Sequence, residues 1–209
     1  MRIERIEPSK RKRGRVLVFL EDGACLKITE QELLDFSLRA GDELDGPALE
    51  KLKEAAGVSN VKAVAADLIG RRAMSRRDLE RKLREKGASE AEARYAGEWM
   101  EAIGAVNDAD YAAALVRRCA DTGCGVARAR EKLREKGVPR ELWDDALAEL
   151  PPAKEQIARF LRDKLRGNAP DEKTKKRLTD ALLRRGFFWG DVKSAWLELG
   201  ADVGGEDLP

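Results

Sequence analysis

The chain has 209 residues, with 41 Lys and Arg against 39 Asp and Glu, a formal net charge of +2, and no histidine. These numbers exclude a uniformly basic nucleic-acid coat, any Ser-His-Asp or Cys-His nucleophile, and a zinc site completed by imidazole. With 38% charged and 5% aromatic residues, the composition favours helical units with thin cores over a β-sandwich.

Residues 1–57 read as a small α/β extension. Ile3 and Ile6 alternate with charges before Pro8, and Arg15-Val16-Leu17-Val18-Phe19-Leu20 is a β-branched, apolar run. Glu21-Asp22-Gly23 separates it from Ala24–Thr29, a hairpin signal, so the basic run Lys10–Arg13 falls in a strand connection. Thr29 with Glu32 forms a capping-box pattern that opens a helix bearing Leu33, Leu34 and Leu38, expected to stop at Gly41. Pro47 starts another helix, with Leu49 and Leu52 inward, expected to end near Gly57.

The remainder repeats itself. Arg81-Lys82-Leu83-Arg84-Glu85-Lys86-Gly87 returns as Glu131-Lys132-Leu133-Arg134-Glu135-Lys136-Gly137 and, degenerately, as Ala181-Leu182-Leu183-Arg184-Arg185-Gly186. Leu79, Ala129 and Leu178 lie four residues before Leu83, Leu133 and Leu182, which places each pair on one helix face. Each glycine falls where a helix must stop, so a left-handed C-cap is predicted at Gly87, Gly137 and Gly186.

The spacing predicts three three-helix repeats, 58–106, 107–150 and 151–200, followed by a disordered tail at 201–209. The predicted fold is mainly α: an elongated, curved stack of tandem repeats behind a hairpin-containing extension. In the first repeat Val64, Ala65, Leu68 and Ile69 line one helix, Ser75 and Ser89 cap the next two, and Tyr95, Trp99, Ala102, Ile103 and Val106 follow at helical spacing. Asn107 caps the second repeat, with Tyr111, Leu115, Val116 and Cys119 inward. Gly123-Cys124-Gly125 breaks the chain, and Pro139 is expected at the first position of a helix lined by Leu142, Ala146, Leu147 and Leu150. Ile157, Phe160, Leu161, Leu165, Val192, Trp196 and Leu199 mark the third.

Basic residues concentrate in 61–86 (nine against four acids), 126–137 (five against two) and 173–185 (six against one), so the rest of the chain is net acidic. Two readings stand side by side: a solvated helix face, or a repeated basic ridge for an anionic partner. The ridge candidates are Arg71, Arg72, Arg76, Arg77, Lys82, Arg84, Arg128, Lys132, Arg134, Lys173, Lys176, Arg184 and Arg185. Trp99, Trp143 and Trp196 suit packing, whereas Trp189 beside Phe187 and Phe188 suits an exposed anchor. No phosphate-binding or dinucleotide glycine loop occurs, and neighbouring carboxylates such as Asp144-Asp145 lack catalytic partners. The chain reads as a binding protein without cofactor or metal. Cys25, Cys119 and Cys124 are too few for a disulfide framework and suit a reducing compartment. No apolar run of about 18 residues occurs and Met1-Arg2-Ile3-Glu4 opens no signal peptide, so a soluble, cytoplasmic monomer is expected.

Arg72-x2-Ser75-x2-Asp78-Leu79-x3-Leu83-x2-Lys86-Gly87, then Gly104-x-Val106-Asn107-Asp108-x2-Tyr111-Ala112, Leu133-x2-Lys136-Gly137-Val138 and Arg184-Arg185-Gly186-Phe187-x-Trp189 together resemble the RecX regulators of bacterial RecA recombinase. The resemblance covers about 60–199, and 1–57 is similar to the N-terminal extension of longer members. Ala105 replaces a frequent aromatic, Asn107 a frequent Asp, and Gly123-Cys124-Gly125 a longer Gly-Pro link. The resemblance implies a non-enzymatic modulator that binds the RecA filament on single-stranded DNA and limits filament growth, ATP hydrolysis and strand exchange. It implies direct contact with single- or double-stranded DNA for some members. An independent helical DNA-binding protein, reading bases through Arg76, Arg77, Arg128 or Arg184, is the alternative, and an inert helical scaffold a third.

Overall fold

A computed structural model describes residues 1–200; the tail expected at 201–209 lies outside the described residues. The chain forms two compact units, Met1–Val106 and Asn107 onward.

The first unit opens with an antiparallel sheet in the order β1 (Ile3–Pro8), β2 (Arg15–Leu20), β3 (Cys25–Thr29). Val18 stands opposite both Ile6 and Leu26, and alternation puts Val16, Val18 and Leu20 on the buried face with Ile3 and Ile28. The expected hairpin and the third strand both form. Thr29 and Glu32 make the predicted capping box at the start of α1 (Glu30–Asp35). The helix ends at Asp35 rather than at Gly41, because Ser37 adopts a left-handed φ of +50° and turns the chain. Leu38 therefore reaches the core from the following loop, while Leu34 is left exposed.

Helix α2 (Gly46–Arg71) is continuous for 26 residues and does not end near Gly57. An interior glycine costs about 1 kcal/mol in a helix, and packing on either side of Gly57 outweighs it. Leu49, Leu52 and Ala56 cover the sheet, and Val61 and Ala65 enter the next core. One rigid element thus joins the sheet to α3 (Arg76–Glu85) and α4 (Glu90–Ala102).

Ser75 and Ser89 cap α3 and α4 as the sequence predicts. The inward face of α4 differs from the expected one. Ala93, Ala96, Gly97 and Met100 are buried, whereas Tyr95 and Ile103 are exposed. A side chain at Gly97 would lie 2.9 Å from Glu80 Oε1 and 3.1 Å from Arg76 Cγ. The helices approach too closely for large residues, and the larger side chains turn outward.

The second unit contains α5 (Asp108–Asp121), α6 (Val126–Glu135), a 3-10 turn (Arg140–Leu142) leading into α7 (Trp143–Leu147), α8 (Ala153–Leu165), α9 (Glu172–Arg184) and α10 (Trp189–Glu198). Pro139 precedes the 3-10 turn instead of opening an α-helix. Ala112, Val116, Leu133, Val138 and Ala146 form one core, and Ile157, Leu161, Leu178, Leu182, Phe187, Val192 and Trp196 another. Trp196 is fully buried and its Nε1–H donates to Thr179 Oγ1 at 2.9 Å, while Leu199 is exposed.

Gly87, Gly137 and Gly186 have φ of +95°, +68° and +85°, the left-handed caps predicted from the repeat. Among the described residues no helix is long and apolar enough to cross a membrane, and no cluster of Cys, Asp and Glu suits a metal.

Candidate partner-binding site

In the first unit the basic candidates lie at the end of α2 and along α3. Arg71 closes α2, Arg72 caps it, Arg76 and Arg77 begin α3, and Lys82 and Arg84 end it. Arg71, Arg72, Arg77 and Arg84 are exposed. Arg76 bridges Glu80 at 3.5 Å and Glu101 at 3.0 Å. Lys82 is folded inward, its Nζ 3.2 Å from Asp78 Oδ2, with Arg81 on the other carboxylate oxygen. Burial pushes the Asp78 carboxyl up, but the hydrogen bonds from Arg81 and Lys82 outweigh it and hold the group below its ordinary range. Lys82 is therefore a structural cation in the free protein.

In the second unit, the sequence draws two helices together through glycines. Gly125 caps α6 and its N–H donates to Arg185 O at 2.8 Å; the Ala127 N–H donates to Gly186 O at 3.1 Å. A methyl group on Gly125 would stand 2.3 Å from Gly186 O, and one on Gly186 would stand 2.4 Å from the Arg128 backbone nitrogen. This contact requires glycine on both sides. It lays the start of α6 against the end of α9.

Beside the contact runs an open cavity of about 440 Å³, lined by Arg128, Arg130, Arg134 and Arg184 with Leu183, Trp143 and Phe188, and by Glu131, the one acid among the described lining residues. Arg128 pairs with Glu131, whereas Arg130, Arg134 and Arg184 take part in no ion pair among the described residues. Trp143 is fixed by donating its Nε1–H to Val138 O at 3.0 Å. Phe188 is 53% exposed at the rim. A groove with surplus guanidinium charge and an apolar wall fits an anionic partner that also offers an apolar or aromatic group.

Three of the sequence candidates, Arg128, Arg134 and Arg184, thus meet in one groove. Lys132 does not join them: it is half-buried with its Nζ 3.7 Å from Cys124 Sγ. Arg185 lies over the Phe160 ring at 4.3 Å, and Lys173 and Lys176 are exposed on the first turns of α9. Trp189 is half-buried at the head of α10, and the exposed aromatic is its neighbour Phe188. Sequence reasoning missed Arg130, Leu183 and Phe188 as groove residues. Arg130 already lay in the second basic window. The position of Phe188 depended on which aromatic of Phe187-Phe188-Trp189 turned into the core, and Phe187 did.

The family model for the second three-helix domain of RecX matches residues 107–147. Regulatory protein RecX of Mycolicibacterium smegmatis is 34% identical over 135 residues, covering 60% of this chain and 72% of that protein. Its namesake in Pseudomonas putida is 32% identical over 129 residues, covering 61% and 83%. A crystal structure of regulatory protein RecX matches with a TM-score of 0.68 at 24% identity, covering 95% of this chain and 98% of that one. RecX from Lactobacillus salivarius matches with a TM-score of 0.60 at 21% identity, covering 70% and 98%. The identities and coverage, with the same helical fold, show that this chain belongs to the RecX family of regulatory proteins.

Proposed function

We propose that this chain is a non-enzymatic regulator that binds the RecA filament on single-stranded DNA and restrains filament extension, ATP hydrolysis and strand exchange. The groove between α6 and α9 is its principal contact. The observation that carries the assignment is the convergence of Arg128, Arg130, Arg134 and Arg184 beside Leu183, Trp143 and Phe188. Family membership supports the reading: the relatives are regulatory proteins that share this fold. The exposed cations Arg71, Arg72, Arg77 and Arg84 of the first unit and Lys173 and Lys176 of the second are further contacts, each within its own unit, and the protein acts as a cytoplasmic monomer.

Inhibition of this kind demands differential affinity. A ligand shifts a filament equilibrium only as far as it binds one state better than the other. The test is RecA ATP hydrolysis on single-stranded DNA with this protein titrated well below one copy per recombinase protomer. A falling rate supports the assignment, and an unchanged rate at saturating protein overturns it.

The second reading, an independent DNA-binding protein, is favoured by exposed Phe188 beside the arginines, an arrangement suited to stacking a base next to its phosphate. It predicts tight, steeply salt-dependent DNA binding without RecA.

A further inference from the structure

Several helix ends of this protein share one cap. After α3, α6 and α9 a glycine takes the left-handed conformation, and the next N–H reaches back to a leucine carbonyl: Ala88 to Leu83 at 3.1 Å, Val138 to Leu133 at 3.0 Å, Phe187 to Leu182 at 3.3 Å. This is the Schellman motif, which brings the side chains of those two positions together. At these three ends the pair is apolar.

After α5 the same motif recurs with different chemistry. Gly123 has φ of +66° and its N–H donates to Ala120 O at 3.0 Å, while the Cys124 N–H donates to Cys119 O at 2.9 Å. Both paired positions are cysteine. The two thiols share one small core cluster with Ala129. The Lys132 ammonium lies 3.7 Å from Cys124 Sγ, and the Thr122 hydroxyl lies 3.3 Å from it. We propose that Cys119 and Cys124 form a redox-active thiol pair that closes to a disulfide under peroxide, a modification site at the junction between α5 and α6.

The geometry assigns the order of events. Cys124 is the less buried thiol and lies 3.7 Å from the Lys132 ammonium, so it is the first to meet peroxide. Burial pushes the Cys119 thiol up, which fits the second, resolving step rather than the first attack on peroxide. The Cys124 thiolate attacks one peroxide oxygen; the S–O bond forms, the O–O bond breaks, and the departing hydroxide takes a proton to become water. Cys119 sulfur then attacks the sulfenic sulfur; the S–S bond forms, the S–O bond breaks, and a second water leaves with the Cys119 proton. Two thiols are oxidised and one peroxide is reduced to two waters.

The site is placed to have a consequence. Gly125, the next residue, donates the hydrogen bond that docks α6 on α9, and Lys132 is held toward the sulfur that would enter the disulfide. Closing the pair removes the thiol that Lys132 addresses and constrains the segment leading into the arginine groove.

The test uses the full chain carrying Cys25→Ser, which removes the exposed third thiol. It is treated with hydrogen peroxide, alkylated under denaturing conditions, and mapped by mass spectrometry without reductant. The expected result is a cross-linked Cys119–Cys124 species lighter by two hydrogen atoms, restored by dithiothreitol, with no dimer. The further variant Lys132→Met should slow its formation while circular dichroism stays unchanged. Recovery of both cysteines as free, alkylated thiols after oxidation overturns the proposal. So does a sulfinic or sulfonic product at Cys124 with Cys119 untouched.

Discussion

The glycine contact between α6 and α9 gives a prediction whose size follows from the coordinates. Gly125 has an ordinary φ of −77°, so Gly125→Ala carries no backbone strain; its methyl group would stand 2.3 Å from Gly186 O and 2.6 Å from the Phe187 nitrogen. Both obstacles are backbone and neither can rotate away. Relief requires the helices to separate, which breaks the Gly125–Arg185 and Ala127–Gly186 hydrogen bonds. Two such bonds and local overpacking put the loss at about 2–4 kcal/mol. Gly123→Ala is the matched control: its φ of +66° imposes strain of about 1–2 kcal/mol, but its methyl group would meet nothing within 4 Å. Either substitution also stiffens the unfolded chain, so that contribution cancels in the comparison. Urea unfolding of the full chain measures the stabilities, and hydrogen exchange at Ala127 reports the docking directly. Gly125→Ala should be the more destabilising and should strip protection from the Ala127 amide. If Gly123→Ala costs more, or Ala127 stays protected in Gly125→Ala, the glycine contact does not hold these helices together.

Other consequences are as direct. Leu83→Ala and Leu133→Ala each empty a fully buried site and should each cost about 2–5 kcal/mol in urea unfolding; loss of less than about 1 kcal/mol at either would break the equivalence of the two repeats. Charge reversal at Arg128, Arg134 and Arg184 together should abolish substoichiometric inhibition of RecA ATP hydrolysis with helicity intact, whereas reversal at Lys82 should act mainly through stability. Asp78 predicts a pH dependence: its carboxyl titrates lower in the folded protein than in the unfolded chain, so its stabilisation is full above the unfolded value of about 3.9 and is lost as pH falls through the folded one. Asp78→Asn should therefore be less stable than the natural chain at pH 7, with the gap closing in acid; a gap that persists undiminished below both values would refute the ion-pair account.

Local signals were legible wherever a short stretch of sequence decided the outcome alone. The Asp22-Gly23 turn, the Thr29 capping box, the Ser75 and Ser89 caps and the three repeat glycines all act within a few residues, and each formed as read. The misreadings share the opposite property. Gly57 resembled a helix stop until the cores on both sides of it held α2 in one piece. The buried face of α4 depended on how closely α3 approached, which small residues at Ala93, Ala96 and Gly97 permit and no local pattern announces. At the site, charge windows located the arginines, but the contact that gathers them runs between Gly125 and Gly186, far apart in sequence.

The two copies of the repeat use their charge differently. Helices α3 and α6 carry the same net charge, five cations against three anions and four against two. They differ in where the charge is spent. Asp78 and Glu80 of α3 occupy the positions of Arg128 and Arg130 in α6, fifty residues on. In α3 those acids bind Arg81, Lys82 and Arg76 within the same helix. In α6 the equivalent arginines line the groove, Arg128 paired with Glu131, while Arg130 and Arg134 take part in no ion pair among the described residues. The shared leucines Leu83 and Leu133 keep both helices in register with their cores. The first copy therefore ties Arg76, Arg81 and Lys82 to its own acids, and the second leaves Arg130 and Arg134 at the groove. Placing the α3 acids at these two positions, with Arg128→Asp and Arg130→Glu, removes two guanidinium groups from the groove and leaves α6 with two cations against four acids. That double variant should fold, retain the Gly125–Gly186 contact, and lose the anionic partner in an anisotropy titration; binding at the natural affinity would show that the surplus charge of α6 is solvated surface and not a site.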